Sequence, residues 1–301
     1  MLRFSQRAFC FMLLLATGLA VSPPGDYEAE LTEWHAQRVA RLTAAEGWLS
    51  LIGLHFLSEG EQQVGTAEGN DIVLGAGPLS LGVIDLQPSG RVMLRVTPGA
   101  GVRVDGREVL SEELIPQGRG PRGQTTTVSC GSMSFYVIVR GGRMALRVQD
   151  TASPRRRGFA GIERFPTDES WRVEAEWEAF AAPREVTITN TLGQESQALV
   201  LGRAVFEREG QRLALLPLQE TLGEPLFFII ADETSGHETY GAARFVYADP
   251  PDESGRVIID FNKAINPPCA FTPYATCPLP PSENVLSIAV RAGEKAPLAA
   301  H

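Results

Sequence analysis

A proline-rich segment near the end of the chain places the strongest limit on what this sequence can fold into. Residues 266–281 contain six prolines and two cysteines, Cys269 and Cys277. Each proline fixes its own φ, removes a backbone N–H donor and biases the preceding residue toward extended geometry. Neither a regular helix nor a central strand can form across such a segment. We therefore predict a stiff, shaped loop, called here the Pro/Cys loop (residues 266–281), on a scaffold built by the rest of the chain.

The first twenty residues have the composition of an export signal. Arg3 and Arg7 supply positive charge, residues 8–19 are almost wholly apolar, and Gly18 and Ala20 provide the small side chains of a cleavage site. The apolar run is short for a membrane span, and an uncleaved N-terminal anchor stays an alternative. We expect residues 1–20 to be a signal peptide. The mature protein is then periplasmic or extracellular, with no stable membrane insertion.

Net charge and cysteine content limit the partners and the covalent chemistry. The formal net charge is −9, so no general basic field exists for binding nucleic acid. The sequence has no CxxC motif and no clustered Cys/His pattern, and we predict neither a metal site nor another cofactor. In an oxidising compartment we expect a Cys269–Cys277 disulfide to close the Pro/Cys loop and Cys130 to remain a buried thiol.

Hydrophobic periodicity predicts one helix followed by β-structure. Residues 26–46 follow a helical period, and the apolar segment after them is too short for period alone to choose helix or strand. Beyond residue 60, short apolar runs alternate with Gly, Pro, Asn and Asp turns, which is typical of an antiparallel sandwich or barrel. The predicted fold is mainly β, with two packed antiparallel β-rich halves. Its parts are a helix and apolar segment (26–58), a first half (60–150), a second half with the Pro/Cys loop (165–294) and a tail (295–301).

Polar residues accumulate around a hairpin predicted in the second half, with strands at 226–232 and 239–245. A third strand is predicted at 256–262. If both connections are tight, Arg244 lies opposite Asp260 and the polar side chains share one face of the sheet. That face would hold Asp232, Tyr240, Arg244, Asp260 and Asn262, and the Pro/Cys loop would begin beside it at Asn266.

Two interpretations of this polar face involve no reaction. In the first, Arg244 and Asp260 form a cross-strand ion pair, and Asn262 and Asn266 bind backbone groups of the proline-rich loop, which needs such partners. In the second, the face is a pocket for a small molecule, with Tyr240, Arg244, Asn262 and Asn266 as its binding residues. A filled, fully paired cluster favours the first interpretation, and a pocket with convergent polar groups favours the second.

A third interpretation is catalysis by a hydrolase-like enzyme. Asp232 or Asp260 would act as general base, with His237 or His55 as its partner. His55 lies in an apolar run, where a buried core histidine is the simpler explanation. No nucleophile elbow, HExxH motif, P-loop or dinucleotide-binding fingerprint accompanies these residues. Whether the protein is an enzyme therefore stays open.

Three motifs also occur: Gly47-Trp48-Leu49-Ser50-Leu51-Ile52-Gly53-Leu54-His55, Asp232-x-Thr234-x-Gly236-x-x-Thr239-Tyr240-Gly241-x-x-Arg244, and Asp260-Phe261-Asn262-x-Ala264-x-Asn266-Pro267-Pro268-Cys269-Ala270, continuing to Pro281. With them the chain resembles the domain-of-unknown-function family numbered 1684, from about residue 30 to Glu294. The resemblance implies a bacterial or archaeal protein and transfers no catalytic residues. We expect an exported ligand-binding or structural β-module, with a hydrolase-like enzyme as the alternative.

Overall fold

The computed structural model describes residues 24–218 and 223–297, and the predicted signal peptide at 1–20 lies outside them. Helix α1 (Pro24–Thr43) confirms the predicted N-terminal helix, and it buries Leu31 and Leu42. A 3₁₀ turn at Trp48–Ser50 leads into strand β1, so the apolar segment after the helix is mostly strand. None of the helices in the described ranges is long and apolar enough to cross a membrane.

Strands before residue 151 form two five-stranded sheets. They are β1 (Leu51–Phe56), β2 (Gly60–Gly65), β3 (Ile72–Val73), β4 (Gly82–Leu86), β5 (Val92–Val96), β6 (Arg103–Val104), β7 (Ser111–Glu113), β8 (Thr127–Cys130), β9 (Met133–Arg140) and β10 (Arg143–Asp150). The strand orders are β1-β10-β9-β8-β6 and β3-β2-β4-β5-β7. All neighbours are antiparallel except β2 and β3. Both sheets contribute side chains such as Val64, Leu94 and Phe135 to one apolar core.

A short helix α2 (Pro154–Arg157) connects this region to the remaining strands. These are β11 (Arg172–Thr189), β12 (Glu195–Arg208), β13 (Gln211–Leu215), β14 (Leu226–Ile230), β15 (Arg244–Ala248) and β16 (Arg256–Asp260). They form a four-stranded sheet, β13-β12-β11-β16, and a separate hairpin, β14-β15. A second apolar core, which includes Phe206, Phe228 and Phe261, lies between them. The prediction of a mainly β fold with a helix and packed antiparallel sheets is confirmed.

The hairpin is confirmed as well, but its neighbours differ from the prediction. Strands β14 and β15 pair with Ile230 opposite Arg244, and residues 231–243 form a connection longer than a tight turn. Strand β16 pairs with β11 instead of β15, which places Asp260 opposite Arg172. The expected three-stranded polar face is therefore wrong. The candidate residues are instead divided between two places, with Arg244 beside Asp232 and Asn262 beside Asp260.

Aromatic residues fill the junction between the two regions. Phe271 of the Pro/Cys loop packs with Trp48 and Leu49 in a small apolar cluster. The ring of Phe159 meets that of Phe271 edge to face, with centroids 6.2 Å apart. Hydrogen bonds cross the same junction, since Ser153 Oγ donates to the Leu49 carbonyl at 2.9 Å. The Pro/Cys loop is thus packed against the 3₁₀ turn that precedes β1 as well as against the β14-β15 hairpin.

Candidate functional site

Arg244 and Asp232 form a completely buried ion pair. Arg244 begins β15 and Asp232 follows β14, so the hairpin register brings them together. Arg244 Nη2 donates to Asp232 Oδ2 at 2.7 Å, and the two side chains are 1% and 0% exposed. The guanidinium also donates to the carbonyls of Ala292, at 2.6 Å, and Val290, at 2.8 Å. The expected Arg244–Asp260 pair is therefore wrong: Arg244 has its carboxylate partner on its own hairpin.

The second oxygen of Asp232 is occupied too. Asp232 Oδ1 accepts hydrogen bonds from the backbone N–H of Thr234 at 2.8 Å, from the Thr234 hydroxyl at 2.6 Å and from the Val290 N–H at 3.2 Å. In the described part of the chain no hydrogen bond joins Asp232 to His237, whose side chain is exposed. A carboxylate committed to this many donors is a poor general base.

His55 is not a partner of Asp232 in this arrangement either. It lies within β1, opposite Leu146 of β10, in the first region. Burial lowers the pKa of its imidazole. A half-buried, neutral histidine in a strand fits the simpler explanation given above.

A second buried network fixes the start of the Pro/Cys loop. Arg38 of α1 donates from Nε to Glu294 Oε1 at 3.1 Å and from Nη2 to the Asn266 carbonyl at 2.9 Å. The Asn266 N–H donates to Glu294 Oε2 at 2.6 Å, and its side-chain amide donates to the Lys295 carbonyl at 2.7 Å. Burial raises the pKa of the Glu294 carboxyl, against the opposing effect of Arg38. This network connects the helix, the loop and the chain after residue 293.

Gly293 makes that connection possible. Its φ is +76°, in the left-handed region that other residues rarely adopt. A Cβ at this position would lie 2.5 Å from the Ala264 carbonyl oxygen and would clash with it. A glycine is therefore required for the backbone to pass Ala264 and deliver Glu294 to Arg38.

The two cysteines of the Pro/Cys loop are free thiols, so the predicted Cys269–Cys277 disulfide is not found and is corrected here. Their side chains share a hydrogen bond, and Cys277 Sγ accepts the Cys269 N–H at 3.2 Å. The hydrogen bond from Cys277 lowers the pKa of the Cys269 thiol, and the same sharing together with burial raises that of Cys277. The Tyr240 hydroxyl donates to the Cys269 carbonyl at 3.3 Å. Non-covalent contacts thus hold this loop closed.

Asp260 has a different environment. Its Oδ1 accepts from the Tyr27 hydroxyl at 2.9 Å and from the Asn262 N–H at 3.0 Å. Its Oδ2 is buried and has no hydrogen-bond partner in the described structure. Lys263 Nζ lies 3.9 Å from Oδ2, beyond hydrogen-bond distance, and donates instead to Glu30 Oε1 at 2.6 Å. Half of this carboxylate is therefore available to a further donor.

A pocket of about 500 Å³ lies beside Asp260, and we call it the Asp260 pocket. Tyr247, 52% exposed, and Ile258, 37% exposed, give it apolar surface. The Tyr247 ring stacks on the Phe227 ring, with centroids 4.9 Å apart, and this contact holds the Tyr247 ring in one orientation. The remaining lining residues are Glu30, Arg172, Pro225, Ala248, Asp249, Pro250, Asp252, Arg256 and Lys263.

Asn262 and Tyr27 support the floor of this pocket. The Asn262 side-chain amide donates to the Tyr27 hydroxyl at 3.0 Å and to the Asp168 carbonyl at 2.8 Å. Burial and the charge of Asp260 raise the pKa of the Tyr27 phenol. Both side chains hold Asp260 in one orientation, as a preformed site requires.

Sequence reasoning selected several of these residues and missed others. Asp232 and Arg244 come together, and so do Asp260 and Asn262, but the two pairs belong to separate networks. Arg38 was missed although its position carries a signal, because it occupies the apolar stripe of α1 between Leu31 and Leu42. The further residues not foreseen are Tyr27, Glu30, Tyr247, Lys263 and Glu294.

The second half of the chain is similar to a known protein family. The family model described as "Protein of unknown function (DUF1684)" matches residues 157–295. This match confirms the resemblance over the second half of the chain. The matched residues include the motifs at 232–244 and 260–281, whereas the motif at 47–55 lies outside them. The ion pair Arg244–Asp232, Asn266 with Glu294, and Asp260 are all within the matched segment.

One solved structure is also similar. It is the solution NMR structure of the uncharacterized protein from gene locus rrnAC0354 of Haloarcula marismortui, with 29% sequence identity and a TM-score of 0.41. The similarity covers 48% of this chain and 82% of that chain. None of the curated proteins matches the sequence.

Within residues 24–218 and 223–297, no group of three or more His, Cys, Asp or Glu side chains could hold a metal ion.

Proposed function

We propose that this protein is a binding module for a small polar molecule, and that the Asp260 pocket is its site. One observation carries the proposal: Asp260 lines the pocket, is 6% exposed, and leaves Oδ2 without a hydrogen-bond partner in the described structure. A buried polar atom without a partner destabilises a folded protein, so native structures rarely retain one without a reason. A donor group on a ligand would satisfy this oxygen.

The chemistry of the pocket indicates what such a ligand contains. A carboxylate oxygen accepts a hydrogen bond from an amine or a hydroxyl group. Tyr247 and Ile258 offer apolar surface to the remainder of the molecule. Lys263 lines the pocket with its Nζ 3.9 Å from Oδ2, and as a flexible side chain paired with the exposed Glu30 it can move at small cost. The expected ligand is therefore small, with an amine or hydroxyl donor and a short apolar part.

The hydrolase-like alternative needs Asp232 or Asp260 as general base with a histidine partner, and in the described part of the chain no hydrogen bond joins His237 or His55 to either carboxylate. The oxygens of Asp232 are occupied by Arg244, Thr234 and Val290. His237 is exposed and belongs to the connection between β14 and β15. Both Nη atoms of Arg244 are paired, with Asp232 and with the carbonyls of Val290 and Ala292, and only Nε is buried without a partner in the described structure. This pairing supports a structural role for Arg244 instead of ligand binding. The composition of residues 1–20 supports placing the module outside the cytoplasm.

Thermal unfolding of the full chain with tyramine and with glucosamine tests the binding proposal. Both probes carry an amine for Asp260, and tyramine adds an aromatic ring that can stack on Tyr247. We expect at least one probe to raise Tm in a saturable way. Asp260→Asn should abolish the response because an amide nitrogen cannot accept from an amine. Tyr247→Ser, at an exposed position, should weaken the response to tyramine without unfolding the protein.

Glu61→Gln is the matched control, since it removes an exposed carboxylate paired with Arg95 in the first region. Its response to both probes should equal that of the unsubstituted protein. Native mass spectrometry of the protein as purified provides an independent measurement of any retained molecule. If neither probe changes Tm and no adduct is found that Asp260→Asn loses, the Asp260 pocket is not a binding site.

A further inference from the structure

Arg147 is a buried cation for which the described residues supply no counter-ion. It lies within β10, opposite Leu54 of β1 and Tyr136 of β9. The residue is 6% exposed, and its Nε and Nη2 atoms are buried without a hydrogen-bond partner. Its guanidinium carbon lies 5.2 Å from the centre of the Trp48 ring. This ring contact is attractive, but it leaves the N–H groups at the edge of the guanidinium unbonded.

The two unpartnered nitrogens form a specific pattern. Nε–H and one Nη2–H point in parallel from the same edge of the planar guanidinium. Two oxygens of one carboxylate or phosphate fit that edge with two parallel hydrogen bonds. A guanidinium carries N–H donors and no acceptor, so only an acceptor can satisfy these two groups. The N–H groups of Nε and Nη2 could therefore be satisfied by a negatively charged acceptor from outside the chain.

The surroundings of Arg147 add positive charge. Arg140 projects from β9 on the same face of the sheet as Arg147, by the alternation of paired positions. Burial lowers the pKa of Arg140, and the neighbouring charge of Arg147 lowers it further. No ion pair within residues 24–218 and 223–297 involves either arginine. The two arginines are thus close enough for their charges to interact, and neither has a carboxylate partner in the described part of the chain.

Cys277, the thiol next to Arg140, does not supply the missing charge. Cys277 is close enough to Arg140 to oppose the lowering of its pKa. Sharing of a proton with Cys269, together with burial, nevertheless raises the pKa of Cys277 and keeps it neutral. Trp48 packs in the same cluster as Cys269 and Cys277, which places the arginines at the junction between the first sheet and the Pro/Cys loop.

We propose that Arg147 binds a small oxyanion, a carboxylate or a phosphate, at this junction. The oxyanion accepts hydrogen bonds from Nε and Nη2, Trp48 contacts the face of the guanidinium, and Arg140 adds attraction. The site is separate from the Asp260 pocket and takes a ligand of opposite charge. Because the Pro/Cys loop borders it, bound anion links the two regions of the molecule and stabilises their contact.

Thermal unfolding of the full chain in sodium phosphate, sodium acetate and sodium chloride at matched ionic strength tests the proposal. We expect a saturable rise of Tm with phosphate or acetate beyond that with chloride. A response to acetate alone identifies a carboxylate ligand, and a response to phosphate alone identifies a phosphate. Arg147→Met should remove the response, whereas Arg143→Met, an exposed cation on the same strand, should keep it.

Arg147→Lys serves where Arg147→Met does not fold. Lysine keeps the charge but lacks the two-donor edge, so the apparent affinity for the anion should fall at least about tenfold, the equivalent of one lost charge-assisted hydrogen bond. The proposal is overturned if phosphate and acetate change Tm no more than chloride does. It is equally overturned if Arg147→Lys responds with unchanged affinity, since the edge of the guanidinium then plays no part.

Discussion

Asp232 and Asp260 have the same burial and the same local motif, yet their second oxygens meet different surroundings. Each residue is 6% exposed, and Asp232 lies two residues after β14 whereas Asp260 is the last residue of β16. In each, Oδ1 accepts the backbone N–H two residues later, from Thr234 and from Asn262 respectively. Asp232 Oδ2 then receives Arg244 at 2.7 Å, whereas Asp260 Oδ2 has only Lys263, at 3.9 Å.

This difference shows that burial and a capping motif do not define the role of a carboxylate. The capping bond of Oδ1 shapes the turn after the strand in both cases. The partner of Oδ2 decides whether the residue is committed to the fold or open to a ligand. By this criterion Asp232 is structural and Asp260 is the candidate binding residue.

Arg244→Met should have the largest effect on stability. The substitution leaves Asp232 buried without its cation and removes donors from the carbonyls of Val290 and Ala292. Breaking a buried pair in this way costs about 3–5 kcal/mol of the free energy of unfolding. Urea denaturation measures it. The double variant with Asp232→Asn should cost less than the sum of the single variants, since both remove one interaction.

Arg256→Met is the matched control for that prediction. Arg256 and Asp252 form an ion pair whose side chains are each 47% exposed. An exposed pair of this kind contributes under about 1 kcal/mol. If Arg244→Met cost no more than Arg256→Met, Arg244 would not hold the closed cluster together and the contrast between Asp232 and Asp260 would disappear.

Glu294→Gln should change how stability depends on pH. Burial raises the pKa of Glu294 above its ordinary value of 4.5, so the folded protein holds this proton more tightly than the unfolded chain. Its stabilising contribution is full below pH 4.5 and is lost as pH rises through the folded-state pKa, at up to about 1.4 kcal/mol per pH unit. Glutamine cannot titrate, so this loss should be absent from the variant.

Urea midpoints measured across the acidic range check this expectation. Glu113→Gln is the control of opposite sign, because the hydrogen bond from Arg91 lowers the pKa of Glu113. Glu113 contributes stability that is present above its ordinary pKa and is lost as pH falls. A wild-type midpoint that did not decline relative to Glu294→Gln as pH rises would show that Arg38 outweighs burial at this site.

The sequence was sufficient to predict elements with a strong local signal. The helix, the β14-β15 hairpin and the stiff loop follow from periodicity, from turn residues and from proline geometry. The partner of Arg244 was not predictable from the same signals, because it depended on an assumed pairing of β15 with β16. Strand β16 pairs instead with β11, through residues 80 to 88 positions apart in the chain, and no local pattern specifies a contact of that range.

The open site depended on long-range contacts even more strongly. Tyr27 reaches Asp260 across 233 residues, and Arg38 reaches Glu294 across 256. Only Arg38 left a signal in the sequence, as a charge in the apolar stripe of its helix. For Cys269 and Cys277 the spacing in the sequence correctly predicted that the two thiols are close together. It could not decide whether they are oxidised to a disulfide. Local patterns thus predict the position of the Pro/Cys loop. The surroundings of Asp260 depend instead on how helix α1 packs against residues far along the chain.

Tyr27→Phe should have the smallest effect on the free energy of unfolding, and it tests whether Asp260 is less tightly committed to the fold than Asp232. The variant removes the hydrogen bond to Asp260 Oδ1 and the one that the hydroxyl accepts from the Asn262 amide. Asp260 Oδ1 keeps its bonds from the Asn262 backbone and side chain, and the amide keeps the Asp168 carbonyl. The expected cost is about 1 kcal/mol at neutral pH. Burial and Asp260 raise the pKa of Tyr27 above 10.0, so the neutral phenol is favoured in the folded state and its contribution is lost as pH rises beyond 10.0. The stability difference between wild type and variant should therefore narrow in alkaline solution. Urea denaturation at neutral and alkaline pH measures both quantities, and a cost above about 3 kcal/mol would mean that Asp260, like Asp232, belongs to a closed cluster whose loss exposes an unpaired buried charge.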